Sequence, residues 1–370
     1  MLHSNTLASG SIPQFSVVVG PCAGASAYSP AITDFIFMVD KISYMFITGS
    51  EVVKNVTGEQ CTNQALGGAD IHNQVSGVAH RIFSNEKDCF RSLRDLIEIL
   101  PSNCGNNHND YARYNHKAVQ NPNLIPNEPQ KSYDIKSLIQ NFTDDNSFFE
   151  IWNEFAKSIV VGFARLSGIK VGIIANQPLE LGGAITYDSS DKAARFIRFC
   201  DCFNIPIVTL VDTPGFLPGI EQEHSGITRH GAKLLYAYSE ATVPKITVVV
   251  RKAYGGAYIA MGSKHLGADY VYALSHAEIA VMGAEGAIPI FYKKELMNIS
   301  DPSLRQQFIE AKIPEYRENF MNARVAQKEG FVDEIISQGD IRHRIFDDIL
   351  ALNSKLSNTN RNKKHGNIPL

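Results

Sequence analysis

The sequence predicts an α/β protein containing two copies of one unit, and three observations carry that expectation. Short β-branched runs alternate with amphipathic helical stretches. A strand, a glycine turn and a helix follow one another twice at a fixed spacing. The composition, 44% hydrophobic and 20% charged over 370 residues, suits a chain that folds around a large core. At about 100–200 residues per domain the length accommodates two domains. Basic and acidic side chains nearly balance, 35 against 38 for a net charge of −3. No global field therefore draws the chain to nucleic acid or an anionic membrane. The longest apolar runs, such as the one ending at Val250, fall far short of the ~20 residues of a bilayer span. Met1 to Gln14 holds one His and no Lys or Arg, unlike a secretory signal or an Arg-rich transit peptide.

Along the chain, residues 1–104 form a first segment. The stretch Cys104 to Lys131, rich in Asn, His and Pro and without apolar periodicity, reads as a linker over 105–131. Residues 132–370 form a longer second segment. There, Lys170 to Ala175, Ile205 to Val211 and Lys245 to Val250 are short and nearly unbroken in apolar character, as strands buried on both faces are. Ser189-Ser190-Asp191 precedes a helical stretch from Lys192 to Phe203, and Ser225 precedes another running to Ala241. The alternation argues for an α/β organisation with right-handed crossovers. Six cysteines match no zinc spacing, and Cys200 and Cys202 read as buried, reduced thiols of a reducing cytosol.

The repeat is explicit. Pro13 to Tyr28 (PQFSVVVGPCAGASAY) and Pro244 to Ile259 (PKITVVVRKAYGGAYI) align at an offset of 231 residues, matching proline, Val-Val-Val and the first glycine, Gly24 or Gly255. After a three-residue gap, Ser43 to Glu51 (SYMFITGSE) aligns with Ala277 to Glu285 (AEIAVMGAE). The second copy has two strands between Ala156 and Pro244 without counterpart ahead of Pro13, so the first domain is expected to be incomplete at its N-terminal side. Apolar surface on Phe15 to Val19 is then expected to be exposed.

Each copy runs a buried strand into a glycine turn and a helix. Glycine permits unusual backbone angles, and the first helical turn leaves N–H groups unpaired at the positive end of the helix dipole. Gly255, Gly256 and Ala257 in the second copy, and Gly24 and Ala25 in the first, are therefore candidate oxyanion cups. A tight strand-to-helix turn without a ligand is the alternative. No phosphate loop, G-x-G-x-x-G, H-E-x-x-H or G-x-S-x-G element occurs, and Ser26 lacks the closing glycine of a nucleophile elbow. Asp212 ends a strand as a turn residue or a catalytic or metal-binding carboxylate. Lys192, Arg195 and Arg198 share one helix face, as do Arg229 and Lys233 on the next. Each set reads as a solvated basic face or a phosphate contact. Two cups without an evident nucleophile suit a reaction whose substrates supply the reactive groups.

The motifs GPCAGASAYSPAITDF, ALGGADIHNQVSGVAH, DKAARFIRFCDCFNIPIVTLVDTPGFLPG, RHGAKLLYAYSEATVPKITVVVRKAYGGAYIAMGSKHLGADYVYA, AEIAVMGAEGA, GFVDEII and KKHGNIPL resemble the carboxyltransferase (β) subunit of biotin-dependent acyl-CoA carboxylases, most of all propionyl-CoA carboxylase β chains. The resemblance covers nearly the whole chain. It implies a tandem crotonase-like (ClpP/crotonase) α/β fold and a ligase activity that forms C–C bonds. It implies transfer of a carboxyl group from carboxybiotin, carried on a separate biotinyl domain, to propionyl-CoA or acetyl-CoA, with no metal bound by this chain. Implied partners are the acyl-CoA, a biotin carboxylase and biotin carrier α subunit, and further β subunits in a hexamer, in the bacterial cytoplasm or a mitochondrial matrix.

By the same resemblance, Gly24 and Ala25 serve the thioester enolate and Gly256 and Ala257 the biotin ureido oxygen. Gly255, Tyr258, Ile259, Lys192 and Arg195 are then substrate-binding residues. The chain departs from the family at Ala25, where Gly is usual, at Gln64-Ala65, and at His224-Ser225. Ile259 replaces the Asp of strict propionyl-CoA enzymes and looks more like acetyl-CoA or broad short-chain members. Related methylmalonyl-CoA decarboxylases and transcarboxylases, and a truncated product acting only in assembly, are the alternatives.

Overall fold

A computed structural model describes residues 2–105, 124–128, 130–353, 355 and 367–369. Most of the expected linker and most of KKHGNIPL thus lie outside the described residues. The strands are β1 (Phe15–Val18), β2 (Pro21–Ala23), β3 (Phe35–Val39), β4 (Tyr44–Phe46), β5 (Arg81–Phe83), β6 (Phe149–Ile151), β7 (Ile159–Leu166), β8 (Ile169–Asn176), β9 (Ile207–Thr213), β10 (Lys245–Tyr254), β11 (Tyr270–Leu274), β12 (Glu278–Ala280) and β13 (Glu334–Ile336).

The duplication is visible as topology. In the first copy β1, β3 and β5 form a parallel sheet with β3 central, and β2 pairs β4 in parallel from Pro21 opposite Tyr44. In the second, β10, β11 and β13 repeat the order, and the end of β10 pairs β12 from Lys252 opposite Glu278. An isolated bridge joins Tyr44 to Gly68 in one copy and Glu278 to Asn322 in the other. The second copy extends further, through β9 and β8 to the antiparallel hairpin β8–β7 and then β6. Ser167 and Gly168, both at positive φ, turn that hairpin. It ends the run of parallel pairings that extends from β13 through β11, β10 and β9 to β8.

The main sheet is buried on both faces. One face packs on the helix Ile135–Phe142 and the C-terminal helix Ile341–Ala351 through Leu138, Ile139, Ile345 and Ile349. The other face packs on the helices Tyr187–Cys202 and Ile227–Glu240, and its core continues into the first copy. Phe35 sits at that seam, with its ring 4.8 Å from Phe199 and 5.7 Å from Phe15. Phe15 and Val17 are half-buried by this packing, so the apolar exposure expected along β1 falls mainly on Val19, 41% exposed.

Helix starts differ in detail from the capping residues expected. Thr186, not the Ser189–Asp191 run, caps the helix Tyr187–Cys202 through a reciprocal box with Ser189, and Gly226 at φ 83° rather than Ser225 opens the next. Cys200 is buried, but Cys202 is exposed. Residues two apart on a helix point to opposite sides, so one face cannot bury both.

Candidate functional site

The second cup is shaped by a strand that changes neighbours. Up to Val249 β10 lies between β9 and β11; from Lys252 it pairs β12. Tyr254 enters the helix Gly255–Ala260 in extended conformation, and no side chain caps the first turn. The amides of that turn have no intrahelical acceptor. Gly255 is at φ 57°, and a Cβ there would lie 2.9 Å from the Val281 carbonyl oxygen. Gly256 has open space, its nearest neighbour being the Phe216 ring at 4.0 Å. Ala257 is fully buried behind it.

Beside this cup lies a cavity of about 390 Å³, lined mainly by apolar groups that include Gly255, Gly256, Ile259, Ile279, Val325 and Phe331. Tyr258 also lines it, and burial pushes its hydroxyl up to about 12, so it stays a neutral donor.

The first cup follows the same plan with one difference in its donors. Gly24 caps the helix Ala25–Ala31 at φ 62°. Its own N–H donates to the Phe46 carbonyl at 3.1 Å, closing the β2–β4 pairing, and Ala27 N–H donates to Gly24 O at 3.0 Å. The first-turn amides left for a ligand are those of Ala25 and Ser26. Gly24 thus shapes the cup rather than donating to it. The Ser26 hydroxyl donates to Ala23 O at 2.6 Å and is no nucleophile in this arrangement.

Lys192 is not part of a solvated basic face. It is 2% exposed, and its Nζ donates to the carbonyls of Trp152, Phe155 and Ala156 at 2.9, 2.7 and 3.3 Å. Trp152 and Ala156 are both at positive φ, so the ammonium fastens a loop that extended backbone cannot form. Arg195 donates to Thr33 O at 2.9 Å across the seam between copies, and Arg198 pairs with Glu240. Neither Lys192 nor Arg195 lines the cavity at the second cup. On the next helix Lys233 and His230 both meet Asp191, and Arg229 meets His230.

Asp212 is fully buried and engaged on both oxygens. Arg251 Nε at 3.1 Å and the Tyr133 hydroxyl at 2.9 Å donate to Oδ2, and Lys252 N–H donates to Oδ1 at 3.1 Å. Burial raises its pKa, and Arg251 and Lys252 pull it back. Among the described residues no group of three His, Cys, Asp or Glu side chains is placed to hold a metal, and no helix is long and apolar enough to cross a membrane. Sequence reasoning missed Phe216 and Tyr133. The VDTPGF motif pointed to the first; nothing local pointed to the second, which reaches Asp212 from 79 residues away.

Comparison with known proteins places this geometry. The carboxyl transferase domain family matches residues 1–368. The propionyl-CoA carboxylase carboxyltransferase subunit of Haloferax mediterranei is 52% identical over all of this chain and 72% of its own length. Methylmalonyl-CoA decarboxylase subunit alpha of Propionigenium modestum is 48% identical over all of this chain and 71% of its own length. The transcarboxylase 12S structure with methylmalonyl-coenzyme A bound, which forms a hexamer, superposes with a TM-score of 0.92 at 45% identity, over all of this chain and 70% of that one. The fold is the crotonase-like α/β arrangement that the resemblance implied. Two glycine-shaped cups, a duplicated strand order and a match along the whole sequence lead to one statement: the chain belongs to the carboxyl transferase domain family.

Proposed function

We propose that this chain is the carboxyltransferase component of a biotin-dependent acyl-CoA carboxylase and passes a carboxyl group to a short-chain acyl-CoA. The observation that carries the reading is the pair of cups, built alike but differing in their surroundings. A carboxybiotin brought by a separate carrier domain would supply the activated carboxyl group and the base. The cavity at the second cup suits a neutral bicyclic ring, because its walls are apolar and the first-turn amides at Gly256 and Ala257 would meet an oxygen at one end. Tyr258 and Ile259 form part of the wall.

At the first cup, the amides of Ala25 and Ser26 would stabilise the negative charge that develops on the thioester oxygen when the acyl-CoA loses its α-proton. Such fixed donors are each worth a few kcal/mol, because they need no reorganisation as charge appears. Ala25, which carries a methyl where the family has glycine, is exposed at this cup. Arg195, on the seam, holds the Thr33 carbonyl.

Large apolar side chains stand exposed in each copy: Ile47, beside Gly24, and Val56 in the first, and Val281 and Phe320, beside the second cup, with Phe291 in the second. We infer that these surfaces meet in a β hexamer, with acyl-CoA and biotin sites brought together between subunits and an α subunit delivering biotin. The chain's similarity to a methylmalonyl-CoA decarboxylase subunit keeps the reverse direction as a second reading of the same site. The test uses the purified chain with methylmalonyl-CoA or malonyl-CoA and free biotin. Biotin-dependent loss of CO₂ supports the reading. A folded protein without turnover supports a role in assembly alone.

A further inference from the structure

Between Val249 and Ala253, β10 advances four residues while its neighbour β9 advances two, from Val211 to Thr213. The surplus contains Arg251 and Lys252, and this is where β10 leaves β11 for β12. The one residue opposite the surplus is Asp212, and its carboxylate takes the hydrogen bonds that the interrupted ladder leaves open. Oδ1 accepts from Lys252 N at 3.1 Å, three residues before Gly255. Oδ2 accepts from Arg251 Nε and from Tyr133 Oη.

Arg251 does not stop there. Its Nη1 donates to the carbonyls of Glu128 and Lys131, and its guanidinium lies 4.9 Å over the Tyr133 ring. Glu128, Lys131 and Tyr133, ahead of the second unit, are thereby tied to the strand that carries the cup. Behind Asp212, its N–H donates to Asn176 Oδ1 at 3.2 Å, and Gly183 packs so closely that a Cβ there would lie 2.2 Å from Asp212 O. The acidic residue is therefore fixed from three sides. In the first copy the corresponding change of neighbour, between Val18 and Pro21, is held by Ser43, whose Oγ accepts from Val39 N and donates to Val18 O. Both cups thus have a polar side chain at the switch, and the second is coupled through Arg251 and Asp212 to Glu128, Lys131 and Tyr133 ahead of its unit.

We propose that Asp212, Arg251 and Tyr133 are positioning residues for the second cup: together they set the direction in which the Gly255–Ala257 amides point. None of the three lines the cavity, and they act through the course of β10. The kinetic consequence rests on the carboxyl-transfer reading; the structural consequence does not.

The experiment uses the full chain and two variants, Tyr133→Phe, which removes one hydroxyl, and Asp212→Asn, which removes the charge. Amide hydrogen exchange is followed across Lys252–Ala257 and, as an internal control, across Cys22–Ala27. Both variants should accelerate exchange at the second cup by about fivefold or more and leave the first cup unchanged. In biotin-dependent turnover, kcat should fall while KM for acyl-CoA holds. Wild-type exchange at the second cup in Tyr133→Phe overturns the proposal, as does equal acceleration at both cups, the mark of general loosening. Unchanged kcat in an active Tyr133→Phe enzyme overturns it too. Should the wild-type chain show no turnover, the carboxyl-transfer reading falls, and the exchange data alone decide the positioning role.

Discussion

Gly255 and Gly256 are neighbours under opposite constraints. A side chain at Gly255 would have to occupy a left-handed conformation and press on the Val281 carbonyl. Gly255→Ala should therefore cost about 2 kcal/mol or more in stability, read as a lower midpoint in chemical denaturation. Gly256 has space around it, so Gly256→Val should fold as the wild type does. It places bulk over the amides, however, and biotin-dependent kcat should fall by about 10²-fold or more, measured by CO₂ release. A folded Gly256→Val protein with full activity would remove the second cup from the mechanism. The need for glycine was legible in the sequence from its recurrence after a Val-rich strand. The use of Gly24 N–H in the β2–β4 ladder was not, because only the register reveals which amides are already spent.

At the scale of elements, the helix Tyr187–Cys202 shows how a sequence pattern misleads. Lys192, Arg195 and Arg198 sit at helical spacing and look like one wet face. The loop Trp152–Ala156 closes over the first of them, and nothing near Lys192 in sequence announces that loop. Replacing Lys192 by Met should orphan three carbonyls and lower stability by about 3–5 kcal/mol, measured as a shift in denaturation midpoint. Burial pushes the Lys192 ammonium down to about 7. The folded chain therefore binds fewer protons here than the unfolded chain between pH ~7 and ~10.4. This group's contribution to stability rises with pH across that window, and the Met variant should lose that slope. The hairpin β7–β8 was missed for a related reason. Its strands are as apolar as parallel ones, since both faces are covered, and only the turn at Ser167-Gly168 distinguishes them.

For the whole molecule, the repeat made the duplication readable and so made the fold readable. The join between the copies was not. It is an aromatic seam in which Phe35 meets Phe163 and Phe199, and His80 stacks on Trp152 at 4.0 Å. Such long-range packing has no local signature. The exposed Val281 and Phe291 have none either, but they bear on assembly: they are 80% and 71% exposed in the single chain. Sedimentation should show an oligomer, and Val281→Asp with Phe291→Asp should shift it toward smaller species while the fold persists. The most direct measurement of the central claim is CO₂ release from methylmalonyl-CoA by the purified oligomer, with and without free biotin. The two-cup account predicts turnover that requires biotin and disappears in Gly256→Val. Turnover that persists without biotin, or none from a folded oligomer, would contradict it.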